Sequence, residues 1–134
     1  MKGSKNIMIV ENSHTNNINW RKKMKRLFVY GSLKKGFHNH GLLSNEKFVR
    51  EDSIKGYDLY SLGSYPCIIK GNNVIKGEVY DVNDSIYKWI TAMELGAGYY
   101  DDTIKTVKGL IVHCFIIKTL PSYAQNEIKD GIWK

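Results

Sequence analysis

The chain has 134 residues, a formal net charge of +7, 43% hydrophobic and 25% charged residues. That length predicts one domain able to bury roughly two thirds of its unfolded surface without disulfide or metal staples, and the ordinary composition argues against a disordered or collagen-like chain. No run of eighteen apolar residues occurs, and Met1 to Asn6 opens no signal-length apolar core, so the expectation is a soluble protein that spans no membrane, with the cytoplasm as default compartment.

Residues 1–23 carry +4 of the charge, from Lys2, Lys5, Arg21, Lys22 and Lys23 against Glu11. They are otherwise polar and aperiodic, and read as a poorly ordered extension. His14 reads there as a solvated residue, Trp20 is unassigned, and Met24 is a candidate internal or true start. Residues 24–134 read as a single domain. The remaining +3 is not gathered into the Lys/Arg stripe that phosphate binding needs, which argues against a nucleic-acid partner.

Leu27 to Tyr30 is a short apolar run suited to a buried strand. It runs into Gly31 and Ser32, then Leu33, Lys34, Lys35 and Gly36. Small residues at a strand end let the main chain approach a ligand, and consecutive N–H groups can form a nest for a carboxylate. An ordinary strand-ending turn fits the same letters. Ser32 lacks the surrounding glycines and the His/Asp partners of a nucleophile, so it reads as a turn or ligand-contact residue. Lys34 and Lys35 read as a solvated loop that draws acidic substrates. His38 and His40, two apart with no third ligand, give no metal site.

Residues 47–50 and 54–62 alternate as half-buried strands. Tyr65–Pro66 is a candidate cis bond. Cys67 to Ile69 and Val74 to Val82 read as two strands separated by a hairpin turn at Gly71-Asn72-Asn73. Ile86, Trp89, Ile90 and Met93 then repeat at i, i+3, i+4 and i+7, predicting a helix over 84–95 with Asn83 or Asp84 as N-cap and Trp89 in the core. Glu94 closes that helix, where the dipole raises a carboxyl pKa. It reads either as a solvated helix end or as a group poised for proton transfer. Gly96-Ala97-Gly98 ends the helix. Thr103 to Lys118 supplies further strands around a turn at Lys108-Gly109, for five or six in all, with His113 facing solvent or satisfied in the core. Cys67 and Cys114, both in apolar runs, read as buried reduced thiols.

Together, Tyr30-Gly31-Ser32-Leu33 after a strand, Lys34-Lys35-Gly36 with Asn39-His40, Tyr65-Pro66, Gly77-Glu78-Val79-Tyr80, and Glu94 followed by Tyr100 resemble the gamma-glutamylcyclotransferase superfamily, closest to gamma-glutamylamine cyclotransferase-like proteins. The resemblance spans roughly residues 26–112. It implies an α+β fold, a small mostly antiparallel β-barrel with flanking helices, and a site beside the turn. It implies cyclisation of a gamma-glutamyl group to 5-oxoproline with release of an amine or amino acid, a cofactor-independent acyltransferase or lyase type of reaction with no metal. It assigns Glu94 as catalytic acid/base and Tyr30, Gly31, Ser32, Leu33 and Tyr100 as substrate-binding residues. Asp102, where relatives often have Arg, and Thr91, near which many have an acidic residue, depart from the pattern.

The chemistry suits these residue types. The α-amine of a gamma-glutamyl compound can close a five-membered ring on its own γ-carbonyl, so the protein supplies positioning and proton transfer rather than a nucleophile. A pocket that has lost turnover and binds a small ligand, or regulates through it, is the alternative. The leaving amine, the oxyanion donors and the oligomeric state are not legible.

Overall fold

The computed structural model describes residues 24–134; the expectations for residues 1–23, including His14 and Trp20, lie outside the described residues. Five strands and one α-helix follow in the order β1 (Met24–Val29), β2 (Lys47–Ser61), β3 (Pro66–Asn83), α1 (Asp84–Gly96), β4 (Tyr100–Lys105) and β5 (Ile111–Ile116). The strands form one curled half-barrel in the order β2-β3-β1-β5-β4. Every pairing is antiparallel except β1 with β5. The expected α+β fold therefore holds, with the barrel open between β2 and β4 and a single α-helix among the described residues.

β1 lies near the middle of the sheet, and its apolar run is buried on both faces as its neighbours require. Leu27 and Val29 enter one core with Tyr80, Tyr87, Ile90 and Phe115. Phe28 and Tyr30 enter the other with Ile54, Leu59, Ile68 and Val112. Cys67 and Cys114 are buried free thiols.

Three sequence expectations are corrected. Gly71-Asn72-Asn73 makes no turn: β3 runs on through it, and Tyr57 of β2 faces both Lys70 and Asn73 across a bulge. The Asp58 carboxylate fills the space that Gly71 leaves, accepting hydrogen bonds from the Asn72 amide at 3.1 Å and Asn73 Nδ2 at 2.9 Å. The hairpin turn lies instead between Ser61 and Pro66, closed by Leu62 N donating to Tyr65 O at 2.9 Å, with Gly63 at φ 104°. The Tyr65–Pro66 bond is not cis. Finally, α1 buries Tyr87 and Ile90, whereas Trp89 is 52% exposed. The face against the sheet is rotated from the one that the heavy apolar residues suggest, because Tyr87 reaches Asp101 and His113 with its hydroxyl. His113 is thus a satisfied, half-buried residue. The Asn83 cap is as expected, its side chain accepting from Ser85 N at 2.8 Å.

Candidate active site

At the end of β1 the chain turns sharply over Pro66. A Cβ on Gly31 would lie 2.6 Å from Pro66 Cγ and 2.8 Å from Cδ, so only glycine allows this approach. Lys34 N donates to Gly31 O at 3.0 Å, Asn39 N to Ser32 O at 3.0 Å and Asn39 Nδ2 to Ser32 Oγ at 2.9 Å. His40 Nδ1 lies 2.9 Å from Leu33 O. The turn's carbonyls and its one hydroxyl are therefore engaged. The N–H groups of Gly31, Ser32 and Leu33 donate to no partner among the described residues, which leaves them available as a backbone nest.

That turn forms one wall of a cavity of about 250 Å³. Tyr30, Gly31, Ser32 and Leu33 all line it, and so does Glu94 from the last turn of α1. The turn and Glu94, 61 to 64 positions apart in the chain, are joined there because β1, β3 and α1 pack in one core. Phe28, Val29 and Phe115 contribute apolar surface, Asn39 a polar edge, and Tyr65, Met93 and Ala97 the remaining rim.

Glu94 and Tyr99 are placed by the way α1 ends. Gly98, at φ 94°, is the left-handed residue that stops the helix; Gly98 N donates to Leu95 O at 3.1 Å and Tyr99 N to Glu94 O at 3.0 Å. These two bonds make a Schellman motif, which folds the residue after the glycine back against the helix's final turn. Tyr99 is thereby buried in the cavity wall, its hydroxyl donating to Pro66 O at 2.6 Å. Tyr100, the residue that the resemblance points to, does not line the cavity. It starts β4 and joins the core on the opposite face, with Lys118 Nζ above its ring. Successive strand residues face opposite ways, so the signal that would have found Tyr99 is the spacing from Gly98 rather than the tyrosine pair.

Burial pushes the Glu94 carboxyl up from 4.5 to about 7. Desolvation is the cause, and no side-chain hydrogen bond to Glu94 occurs among the described residues to hold the charge. A carboxyl at that value exchanges protons readily in both directions near neutrality. Tyr30 is fully committed elsewhere: its hydroxyl donates to Phe115 O at 2.7 Å, and burial raises its pKa well above the ordinary phenol value. It contributes wall and main chain rather than proton transfer. Lys34 is also not where the loop reading puts it. It is buried, with Nζ donating to Trp133 O at 3.0 Å, and it lines a different, charged cleft with Glu51, Asp52 and Glu78. Its pKa is lowered, chiefly by desolvation. Glu78 ties the loop down by accepting from Lys35 N at 2.9 Å.

The arrangement brings three unpaired backbone amides, apolar walls and one carboxyl with a raised pKa to a single cavity. A family model described as gamma-glutamyl cyclotransferase, AIG2-like, matches residues 27–134. A Pyrococcus horikoshii protein with a provisional gamma-glutamylcyclotransferase name is 39% identical over 82 residues, covering 61% of this chain and 70% of that one. Its crystal structure superposes with a TM-score of 0.72 at 34% identity, covering 81% of this chain and 88% of that one. The gamma-glutamylcyclotransferase family protein YtfP of Escherichia coli K12 is 37% identical over 75 residues, 56% of this chain and 66% of its own length. Its solution structure gives a TM-score of 0.64 at 32% identity, covering 81% of this chain and 95% of that one. The sequence matches to these curated relatives thus span about two thirds of their length. No helix among the described residues is long and apolar enough to cross a membrane.

Proposed function

Because the chain belongs to the gamma-glutamyl cyclotransferase, AIG2-like family, we propose that it converts a gamma-glutamyl amine or gamma-glutamyl amino acid to 5-oxoproline and the free amine. The observation that carries this reading is the shared cavity: Glu94, with its carboxyl raised to about 7, lines it together with Gly31, Ser32 and Leu33, whose amides have no partner among the described residues. The substrate's α-carboxylate sits on those amides, which offer N–H donors to an anion. Its methylene stem lies along Phe28, Val29 and Phe115.

Held in that folded form, the α-amine lies against the γ-carbonyl carbon, and proximity supplies much of the rate. Glu94 takes a proton from the α-ammonium. The freed nitrogen lone pair forms the C–N bond of the ring, and the tetrahedral intermediate collapses with loss of the original amide nitrogen. Glu94 returns its proton to that nitrogen as the bond breaks, then takes the second proton from the ring nitrogen and passes it to the released amine, which leaves as an ammonium, so neither water nor an external acid is consumed. The carboxyl near 7 suits both halves of the cycle.

The test is to incubate the protein with gamma-glutamyl amines and dipeptides and measure 5-oxoproline. Activity in the wild type that falls about 100-fold or more in Glu94→Gln supports the mechanism. Equal activity in both removes Glu94 from it. Inertness of the wild type on every member favours a pocket that binds without turnover.

A further inference from the structure

Lys34 directly follows the three amides of the turn, and its two ends are tied to different parts of the molecule. Its own N–H closes the turn on Gly31 O at 3.0 Å. Its side chain is 9% exposed and lies outside the cavity lining, with Nζ donating to Trp133 O at 3.0 Å, 99 positions along the chain, and standing 5.1 Å from the centroid of the Phe37 ring. No carboxylate pairs with it among the described residues. A buried ammonium without an acceptor is costly, so the one carbonyl that takes its hydrogen bond fixes where it can lie.

That carbonyl is held in place without help from Lys34. Ile128 N donates to Leu59 O at 2.7 Å and Lys76 N to Gly131 O at 2.9 Å, which binds the segment 128–134 to β2 and β3. Gly131, at φ 72°, lies so close to β3 that a Cβ would overlap the Val74 carbonyl oxygen. One residue past Lys34, Lys35 N is fixed to Glu78 of β3 as well.

Building on the cyclotransferase reading, we propose that Lys34 is a positioning residue: anchored at its far end by the Trp133 carbonyl, it sets the angle at which the Gly31, Ser32 and Leu33 amides meet the substrate's α-carboxylate. Three amides grip a carboxylate only when they point at it together. A turn that rocks must be ordered by every substrate that binds, and that ordering is taken out of the affinity.

Two variants of the full chain test this. Lys34→Met keeps an unbranched stem in the same space and removes the donor; Gly131→Ala keeps the ammonium but drives the segment carrying the Trp133 carbonyl off β3. In protein shown to be folded by its urea midpoint, each should raise KM for a gamma-glutamyl amine by about tenfold, with a much smaller change in kcat. Each should also weaken the binding of 5-oxoproline, which carries the same carboxylate. The double variant should lose no more than the worse single one, because both changes break one bond. The pH midpoint near 7 assigned to Glu94 should not move. An unchanged KM in folded Lys34→Met, with only the urea midpoint altered, overturns the inference and leaves the cyclotransferase reading standing. Losses that add in the double variant do the same, since Lys34 would then act through its charge and not through Trp133. A wild type that releases no 5-oxoproline yet binds it, with binding weakened in both variants, removes the cyclotransferase reading and supports the positioning role. Neither release nor binding overturns both.

Discussion

In the proposed reaction a single carboxyl carries the proton transfers, and the same group sets part of the stability of this molecule. Glu94 has a folded-state pKa of about 7 against an ordinary 4.5, so the folded chain binds its proton more tightly than the unfolded one. Stability attributable to this site is therefore highest at acid pH, falls as pH rises from about 4.5 to about 7, and is level above that. The shift is equivalent to roughly 3 kcal/mol, and about half of that after allowing for water reaching the half-buried group. Glu94→Gln should accordingly unfold at higher urea than the wild type at pH 8 by about 1–2 kcal/mol, the two converging near pH 4. The same substitution should abolish 5-oxoproline release. In the wild type, kcat/KM should rise with pH through an apparent value near 7 as the base ionises. A variant of unchanged or reduced stability at pH 8 would show that the carboxyl is not desolvated. Gly31 makes the second residue-scale case. Gly31→Ala drives a methyl group into the Pro66 ring, with an expected cost of about 1–3 kcal/mol from overpacking and a displaced turn that raises KM. Removing the ring in Gly31→Ala/Pro66→Ala should recover most of the loss; no recovery would place the glycine's role elsewhere.

The helix end is the element on which the site turns. The Schellman motif ties Glu94 and Tyr99 together through one backbone bond, with Gly98 at φ 94° as its pivot. Gly98→Ala forces a side chain into that left-handed conformation, costing about 1 kcal/mol in thermal or urea unfolding. Because it loosens the placement of both cavity residues, it should lower kcat more than the stability loss alone accounts for. A variant with full kcat at a temperature where it is folded would show that the motif does not set the carboxyl. This element also shows what sequence reasoning reaches. Asn83 at one end and the glycines at the other bound the helix correctly, since caps are local chemistry. The burial of its faces is not local. Trp89 and Met93 carry the apolar bulk, yet Tyr87 and Ile90 meet the sheet, because the partners of the Tyr87 hydroxyl, Asp101 and His113, lie on strands that no helical periodicity can foresee. The error at Gly71 has the same origin. Glycine beside two asparagines is turn chemistry, but Asp58, 13 residues away, accepts their donors and turns the segment into a bulge inside one strand. Ser32 and its neighbours were legible because a turn's small residues declare themselves. Tyr99 was not, since what buries it is the turn after Gly98, which the pair of adjacent tyrosines does not announce.

For the whole molecule, the consequence of an open half-barrel is that β2 and β4 must be joined by something other than a ladder. Near the β4–β5 turn, Val107 N donates to Ser53 O at 2.8 Å. Beside it the buried Asp52 carboxylate accepts from Thr106 Oγ1 at 2.6 Å, from Ser53 N at 2.7 Å and from Lys108 N at 3.1 Å. Desolvation alone would raise the Asp52 pKa, but the hydrogen bonds from Thr106, Ser53 and Lys108 outweigh it and leave the value lowered. Stability from this group is thus present above the unfolded value near 3.8 and is lost as pH falls through the lower folded one. The seam bridges the gap of the barrel, and none of the residues that line the cavity takes part in it. Asp52→Ala leaves a buried hydroxyl and two amides without their acceptor, so it should cost about 2–3 kcal/mol in urea unfolding at pH 7. As pH falls below the unfolded value near 3.8 the difference from the wild type should shrink, because the unfolded chain then takes up a proton that the folded carboxylate resists. Below the unfolding midpoint the cyclotransferase rate should be unchanged. A fall in kcat/KM in fully folded Asp52→Ala would mean instead that opening the seam is transmitted along β5 to Phe115 and the cavity floor, and that the half-barrel moves as one body during turnover.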